Sequence, residues 1–260
     1  MTLPTLLLED VARVLEQAAG LSLSDGFDLK LSDGVDAAAR AAGESARVFA
    51  RRVLARDADA IASLVDHVVV NETAFWRHPE QLAAVGRLAA AAAAPLAIWS
   101  VGCATGEEPY SVAIALLEAG RAGKGDRILA TDVSARALRA AAAGVYGVRS
   151  LRKLPPELSA RWLEGTAERR VRPELRALVE LRRHNVVTDP APAGPFDLVL
   201  CRNVLIYFDP RTAGEVLRRL ADALRPGGVL VLGPVELPLA SAVSLEWVGL
   251  GGATLLRRPG

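Results

Sequence analysis

The sequence predicts an α/β protein: a mostly parallel, doubly wound sheet, preceded by an all-helical segment and interrupted by a small antiparallel insert. Three observations carry this. From residue 96 onward, short apolar runs alternate with helical segments, the pattern of strands joined by crossover helices. Before about residue 85, apolar residues recur only at helical spacing. Between Tyr146 and Asn185 the alternation breaks on a Pro155-Pro156 pair and a charge-rich stretch. The expected division is 1–85 helical and 86–260 α/β, with 146–185 inserted into the latter.

Each element follows from its residues. LLLEDVARVLEQAAG (6–20) is an amphipathic helix with Gly20 as a C-cap. ESARVFARRVLAR and DADAIASLVDHVVV are two further amphipathic segments. The alanine-rich GRLAAAAAAPL is a helix end stopped by Pro95. LAIWSVG reads as a buried strand, and GEEPYSVAIALLEAG as a helix whose Pro109 sits in the first turn, where a missing N–H costs nothing. RILATDV is a second strand, followed by a helix capped by Ser134. FDLVLC is a third strand. PRTAGEVLRRLADALRPGG is a long helix expected to stop at Gly-Gly, and GVLVLG is a further strand. SLEWVGLGGATLLRR reads as a terminal hairpin. LVELRRHNVV alternates and is assigned to the insert, which should hold at least one antiparallel hairpin.

Composition narrows the function. In 260 residues, 51% are hydrophobic and 23% charged, a globular balance. A net charge of +1 supplies no global field toward nucleic acid or anionic membrane, and neither is an expected partner. The cysteines, Cys103 and Cys201, make neither a disulfide framework nor a zinc pattern. His67, His78 and His184 are scattered, so no metal is expected. The amino-terminal apolar stretch lacks a basic flank, which argues against a secretory signal. The uncharged run Leu88–Gly106 contains a block of weakly apolar alanines, is broken by Pro95 and glycines, and makes a poor membrane span. A cytoplasmic, monomeric protein is expected.

The first strand leads into Val101-Gly102-Cys103-Ala104-Thr105-Gly106-Glu107-Glu108. A glycine-rich turn there lets a ligand approach the backbone at the carboxyl end of the sheet. Neither GxGxxG nor a P-loop is present. Two carboxylates at a helix start repel pyrophosphate and suit a cationic ligand such as S-adenosylmethionine, although they also complement the helix dipole. Asp132, thirty residues after Gly102, can accept both ribose hydroxyls or simply cap the following turn. Without further information, the choice between a nicotinamide and S-adenosylmethionine rests on the glutamates.

NETAFWRHPEQL (71–82), WSVGCATGEEPYSVAIAL (99–116), LATDVSARALRAAAAGVYG (129–147), FDLVLCRNVLIYFD (196–209) and RPGGVLVLGPVE (225–236) together resemble the chemotaxis-receptor glutamate methyltransferases, in that family's order. The resemblance implies a Rossmann-like, S-adenosylmethionine-dependent methyltransferase domain with an inserted antiparallel β-subdomain and a helical N-terminal domain. It implies methylation of glutamate γ-carboxylates on the helical cytoplasmic region of a chemoreceptor, with S-adenosylhomocysteine as product. By motif, Asn71, Thr73 and Arg77 would sit at the cofactor, with Gly102 in the turn. Glu108 would contact it, Asp132 hold the ribose, and Asn185 and Val186 lie near the adenine. Arg202, Asn203 and Tyr207 complete the set, with Arg77 and Tyr207 as the expected catalytic pair.

The chain departs from that family in two places. The arginines Arg40, Arg47, Arg51, Arg52 and Arg56 are interleaved with acids, which weakens a basic substrate-facing helix. The loop EGTAERRVRPEL is short and lacks Gly-x-Gly, so no tether to a receptor tail is expected. The alternatives are an S-adenosylmethionine-binding regulatory module without turnover and a methyltransferase of a related pathway with another substrate. A nicotinamide oxidoreductase is the remotest.

Overall fold

A computed structural model describes residues 3–21 and 27–260. Four helices open the chain: α1 (Thr5–Ala19), α2 (Phe27–Ala42), α3 (Ala46–Leu54) and α4 (Ala58–Val68). They bury one core that includes Val11, Leu15, Leu31, Val35, Phe49, Val53 and Leu64. Gly20 closes α1 in the left-handed region. Asp57 caps α4 by accepting from the Asp59 and Ala60 N–H groups. The sequence pattern did not single out α2, because its polar positions and Gly34 blur the apolar stripe. Gly34 is what the packing requires: a Cβ there would lie 2.5 Å from Val68 Cγ2 on α4.

Helix α5 (Pro79–Ala91) packs with the sheet rather than with α1–α4. Phe75, Leu82 and Val85 share a core with Ile98, Ile114 and Leu200. Gln81 Nε2 donates to the Leu232 carbonyl at 2.8 Å. The two cores therefore part between Val68 and Phe75, and the boundary expected at residue 85 falls inside α5.

The sheet is built from β1 (Ala97–Val101), α6 (Glu107–Glu118), β2 (Arg127–Asp132) and α7 (Ala135–Ala143). The insert then follows as β3 (Val145–Tyr146), α8 (Val148–Leu151), α9 (Pro156–Trp162), β4 (Leu163–Glu164), β5 (Arg169–Val171) and α10 (Pro173–Arg176). The chain returns through β6 (Val179–Arg183), β7 (Phe196–Cys201), α11 (Pro210–Ala223), β8 (Leu224–Leu232), β9 (Glu246–Leu250) and β10 (Ala253–Arg257). Strand order in the seven-stranded sheet is β6-β2-β1-β7-β8-β10-β9, parallel from β6 to β8, with the terminal β9–β10 hairpin antiparallel. The order reverses at β1, so the crevice falls where β1 and its neighbours end. The insert forms its own antiparallel sheet, β3-β5-β4.

Two expectations change. The alternating segment from Leu178 does not belong to the small sheet. It is the outer strand β6, paired in parallel with β2 from Ile128↔Val179 to Asp132↔Arg183. Its alternation is that of an edge strand with one covered face. Helix α11 ends at Ala223, before Gly227-Gly228, and those glycines lie inside β8. A Cβ on Gly228 would sit 3.0 Å from the Phe196 carbonyl oxygen, at the register shift between β7 and β8. The pair therefore makes a bulge and does not end the helix.

Gly34→Val should overpack the α2–α4 contact and lower unfolding free energy by about 1–3 kcal/mol in urea titration. An unchanged midpoint would mean that α4 shifts freely.

Candidate functional site

The turn after β1 is shaped by positions that only glycine suits. Gly102 has φ +65°, and a Cβ there would meet Val204 Cγ2 at 2.4 Å. Gly106 has φ +96°, and a Cβ there would lie 2.8 Å from Tyr146 Oη and 2.9 Å from Ala141 Cβ. Tyr146 Oη donates to the Thr105 carbonyl at 2.7 Å, pinning the turn to the insert. Asp132, at the end of β2, joins two turns. Its Oδ2 accepts from Ala104 N and its Oδ1 from Ser134 N, both at 2.8 Å. Burial pushes its carboxyl above the ordinary aspartate range, and the backbone N–H groups oppose the rise.

The two glutamates divide their tasks. Glu107 is buried and accepts from Thr105 Oγ1 at 2.6 Å and Ser150 Oγ at 2.8 Å, tying the turn to α8. Glu108 accepts from Ser100 Oγ at 2.7 Å and pairs with Arg202 at 3.2 Å. Burial raises the Glu108 carboxyl, and the Arg202 guanidinium pulls it back. Arg202 also donates to the Arg77 carbonyl, so this ion pair anchors the Asn71–Arg77 segment.

A cavity of about 620 Å3 lies over these turns. Asn71, Gly102, Asp132, Asn185, Val186, Asn203 and Tyr207 line it. Thr73 faces an adjoining cleft of about 410 Å3 that shares Val69, Val70 and Asn71 with the cavity. Arg77, Glu108 and Arg202 do not line the cavity but form the chain just described. Arg77 Nη1 donates to the Glu72 carbonyl at 3.2 Å, and no carboxylate pairs with it among the described residues. Glu80, the nearest acid that follows Arg77 in the sequence, lies 3.6 Å from His78 Nδ1 instead. The positive charge of Arg77 bears on Tyr207, opposing the upward shift that burial gives the phenol. The Asn185 side chain is committed within the protein: its Nδ2 donates to the Ala18 carbonyl at 2.6 Å and its Oδ1 accepts from Val187 N at 3.0 Å.

Sequence reasoning missed Glu236. It is wholly buried, and its carboxylate accepts from the N–H groups of Gly233, Asn203, Val204 and Leu205 at 2.8–2.9 Å. An acid inside the apolar run GPVELPLA was the available signal. Cys103 and Cys201 are buried, with burial pushing both thiols well up, as inert core residues require.

The volume falls within the ~300–1,000 Å3 typical of cofactor sites. Among the lining residues, Asp132 and Asp209 are acidic and Lys30 is basic. That balance disfavours pyrophosphate and suits a nucleoside bearing positive charge. The acid at the strand end, the glycine turn and the apolar wall of Val101, Val133 and Val186 fit S-adenosylmethionine.

Gly102→Ala should cost about 1–3 kcal/mol of stability by thermal melting, because it combines left-handed strain with the Val204 clash. A melting temperature equal to that of the parent would refute the turn's dependence on glycine.

The chain is 38% identical over 207 residues to the Pseudomonas aeruginosa protein named as a probable biofilm formation methyltransferase, WspC, covering 76% of this chain and 49% of WspC. It thus spans about half the length of that relative. It is 41% identical to chemotaxis protein methyltransferase 2 of the same organism, covering 66% of this chain and 65% of the relative. With the chemotaxis protein methyltransferase of Vibrio parahaemolyticus it shares 37% identity, covering 71% of each. Residues 71–242 match the model for the S-adenosylmethionine-binding domain of CheR methyltransferases, and the chain belongs to that family.

Proposed function

We propose that the chain transfers a methyl group from S-adenosylmethionine to glutamate γ-carboxylates of a helical signalling protein, a chemotaxis-type receptor first among them. The observation that carries this reading is Arg77: a guanidinium without a carboxylate partner among the described residues, on the segment whose backbone the Glu108–Arg202 pair anchors, its charge felt by Tyr207 of the cavity wall. Such a group is suited to grip an incoming carboxylate.

The bound cofactor supplies a methyl group activated by a positively charged sulfur. Asp132 is the acceptor for the ribose hydroxyls, Asn185 and Val186 flank the adenine, and Asn71, Thr73 and Asn203 bound the remainder. Glu108 lies under this wall as the counter-charge of Arg202. A substrate glutamate is already ionised at pH 7, so no general base is needed. The work of the protein is alignment: Arg77 holds the carboxylate, Tyr207 orients it, and the cavity keeps the approach in line.

The helical unit supports a macromolecular substrate. Arg52 is spent on Glu44 and Asp57, while Arg40, Arg47 and Arg51 stay exposed with no ion pair among the described residues. That leaves a modest basic face for an acidic helix. The short connection between β4 and β5 supports a protein that does not tether to a receptor tail. A second reading keeps the chemistry and changes the pathway: the relation to WspC, named for biofilm formation, favours a chemosensory-like system with another output.

Incubating the protein with methyl-labelled S-adenosylmethionine and host lysate should give alkali-labile label on one or a few receptor-sized bands. Label resistant to alkali would exclude carboxyl esters. Asp132→Ala should weaken S-adenosylhomocysteine binding at least about tenfold in titration calorimetry. Arg77→Ala should lower kcat about 100-fold while moving cofactor affinity far less. Equal losses in both would assign Arg77 to the cofactor alone.

A further inference from the structure

We infer that Glu236 is a positioning residue for the cofactor site, acting through the backbone of the loop that carries Asn203 and Tyr207. The inference rests on the reading that places S-adenosylmethionine in the cavity over Asp132.

The carboxylate is 0% exposed and has no cationic partner among the described residues. Its charge is met by backbone alone. Oε2 accepts from Asn203 N at 2.8 Å and Gly233 N at 2.9 Å, while Oε1 accepts from Val204 N and Leu205 N, both at 2.8 Å. One side chain thus binds the exit of β7 to the exit of β8. Gly233 permits the approach, since a Cβ there would lie 2.6 Å from Oε2 and 3.1 Å from Asn203 N.

The residues gripped are the cavity wall. Asn203 and Val204 line it, and the short 3-10 turn Leu205–Tyr207 delivers Tyr207 to the same cavity. Asn203 is held at φ +61°, a conformation L residues seldom adopt, and its Oδ1 is buried without a partner. Burying an unpaired charge is costly, and joining two strand ends does not demand it. A carboxylate does what a neutral residue cannot: it accepts from four converging donors at once. A glutamine would turn an NH2 donor toward two of them.

The test compares Glu236→Gln and Glu236→Asp with Leu116→Ala, a cavity-forming variant at the end of α6, in the core that α6 shares with α5 and apart from the loop. Each is kept well below its own melting temperature, and S-adenosylhomocysteine binding is read by calorimetry. Glu236→Gln should bind about tenfold more weakly than the parent, Leu116→Ala should bind like the parent, and Glu236→Asp should recover part of the loss. Binding by Glu236→Gln within about twofold of the parent would overturn the inference, as would a Glu236→Asp no better than Glu236→Gln. Should Glu236→Gln fail to fold, Glu236→Asp must still bind several-fold more weakly than Leu116→Ala, or the inference falls. Parent protein that ignores Asp132→Ala would refute the placement of the cofactor instead, a separate result.

Discussion

A carboxylate buried at the carboxyl edge of a parallel sheet must find donors, and this molecule is arranged around that demand. Asp132, Glu107, Glu108 and Glu236 all lie at this edge, each buried or nearly so. Each takes its donors from loops that would otherwise be independent. Asp132 joins the turns after β1 and β2, and Glu107 joins the first of these to the insert. Glu108 holds Arg202 and, through it, the segment between the two cores. Glu236 joins the exits of β7 and β8. The loops that wall the cavity are therefore mutually braced, so its shape is set before any ligand enters.

The cavity is composite. Its sheet side comes from strand ends, and its opposite side from Ala19, Leu21 and the residues after α4. A backbone bridge between Leu21 and Phe208 and the Asn185 side-chain amide, donating to the Ala18 carbonyl, secure the helical unit to that edge. Asn185 thus serves the site by fixing the position of α1. The helical unit supplies one wall of the cavity, so a partner that moved this unit would also alter the cavity.

Much of the architecture was legible. Parallel strands buried on both faces leave continuous apolar runs, and capped amphipathic helices leave a period, so β1, β2, β7, α1 and α11 could be read directly. What escaped was decided by packing between distant segments. Helix α2 depends on Gly34 meeting Val68, a contact no local pattern encodes. Strand β6 (VELRR) and β5 of the insert (RRV) are both short and rich in arginine, and pairing with β2 separates them. Gly227-Gly228 carries the same local signal for a helix stop and a bulge, and the register against β7 selects the bulge.

The candidate site divides in the same way. The sequence by itself determined the motif residues and their order, because glycine at positive φ, an acid at a strand end and a paired Arg-Asn are local chemical requirements. Only the tertiary structure decided what each does. Glu107 and Glu108 are adjacent in sequence, yet one faces the insert and the other Arg202. Arg77 has no ion pair with Glu80 among the described residues, and its carbonyl instead accepts from Arg202, 125 residues away. Glu236 lies 33 residues from the Asn203 it holds. Hydrogen bonds to a buried charge depend on three-dimensional convergence of donors, and sequence spacing does not record that convergence.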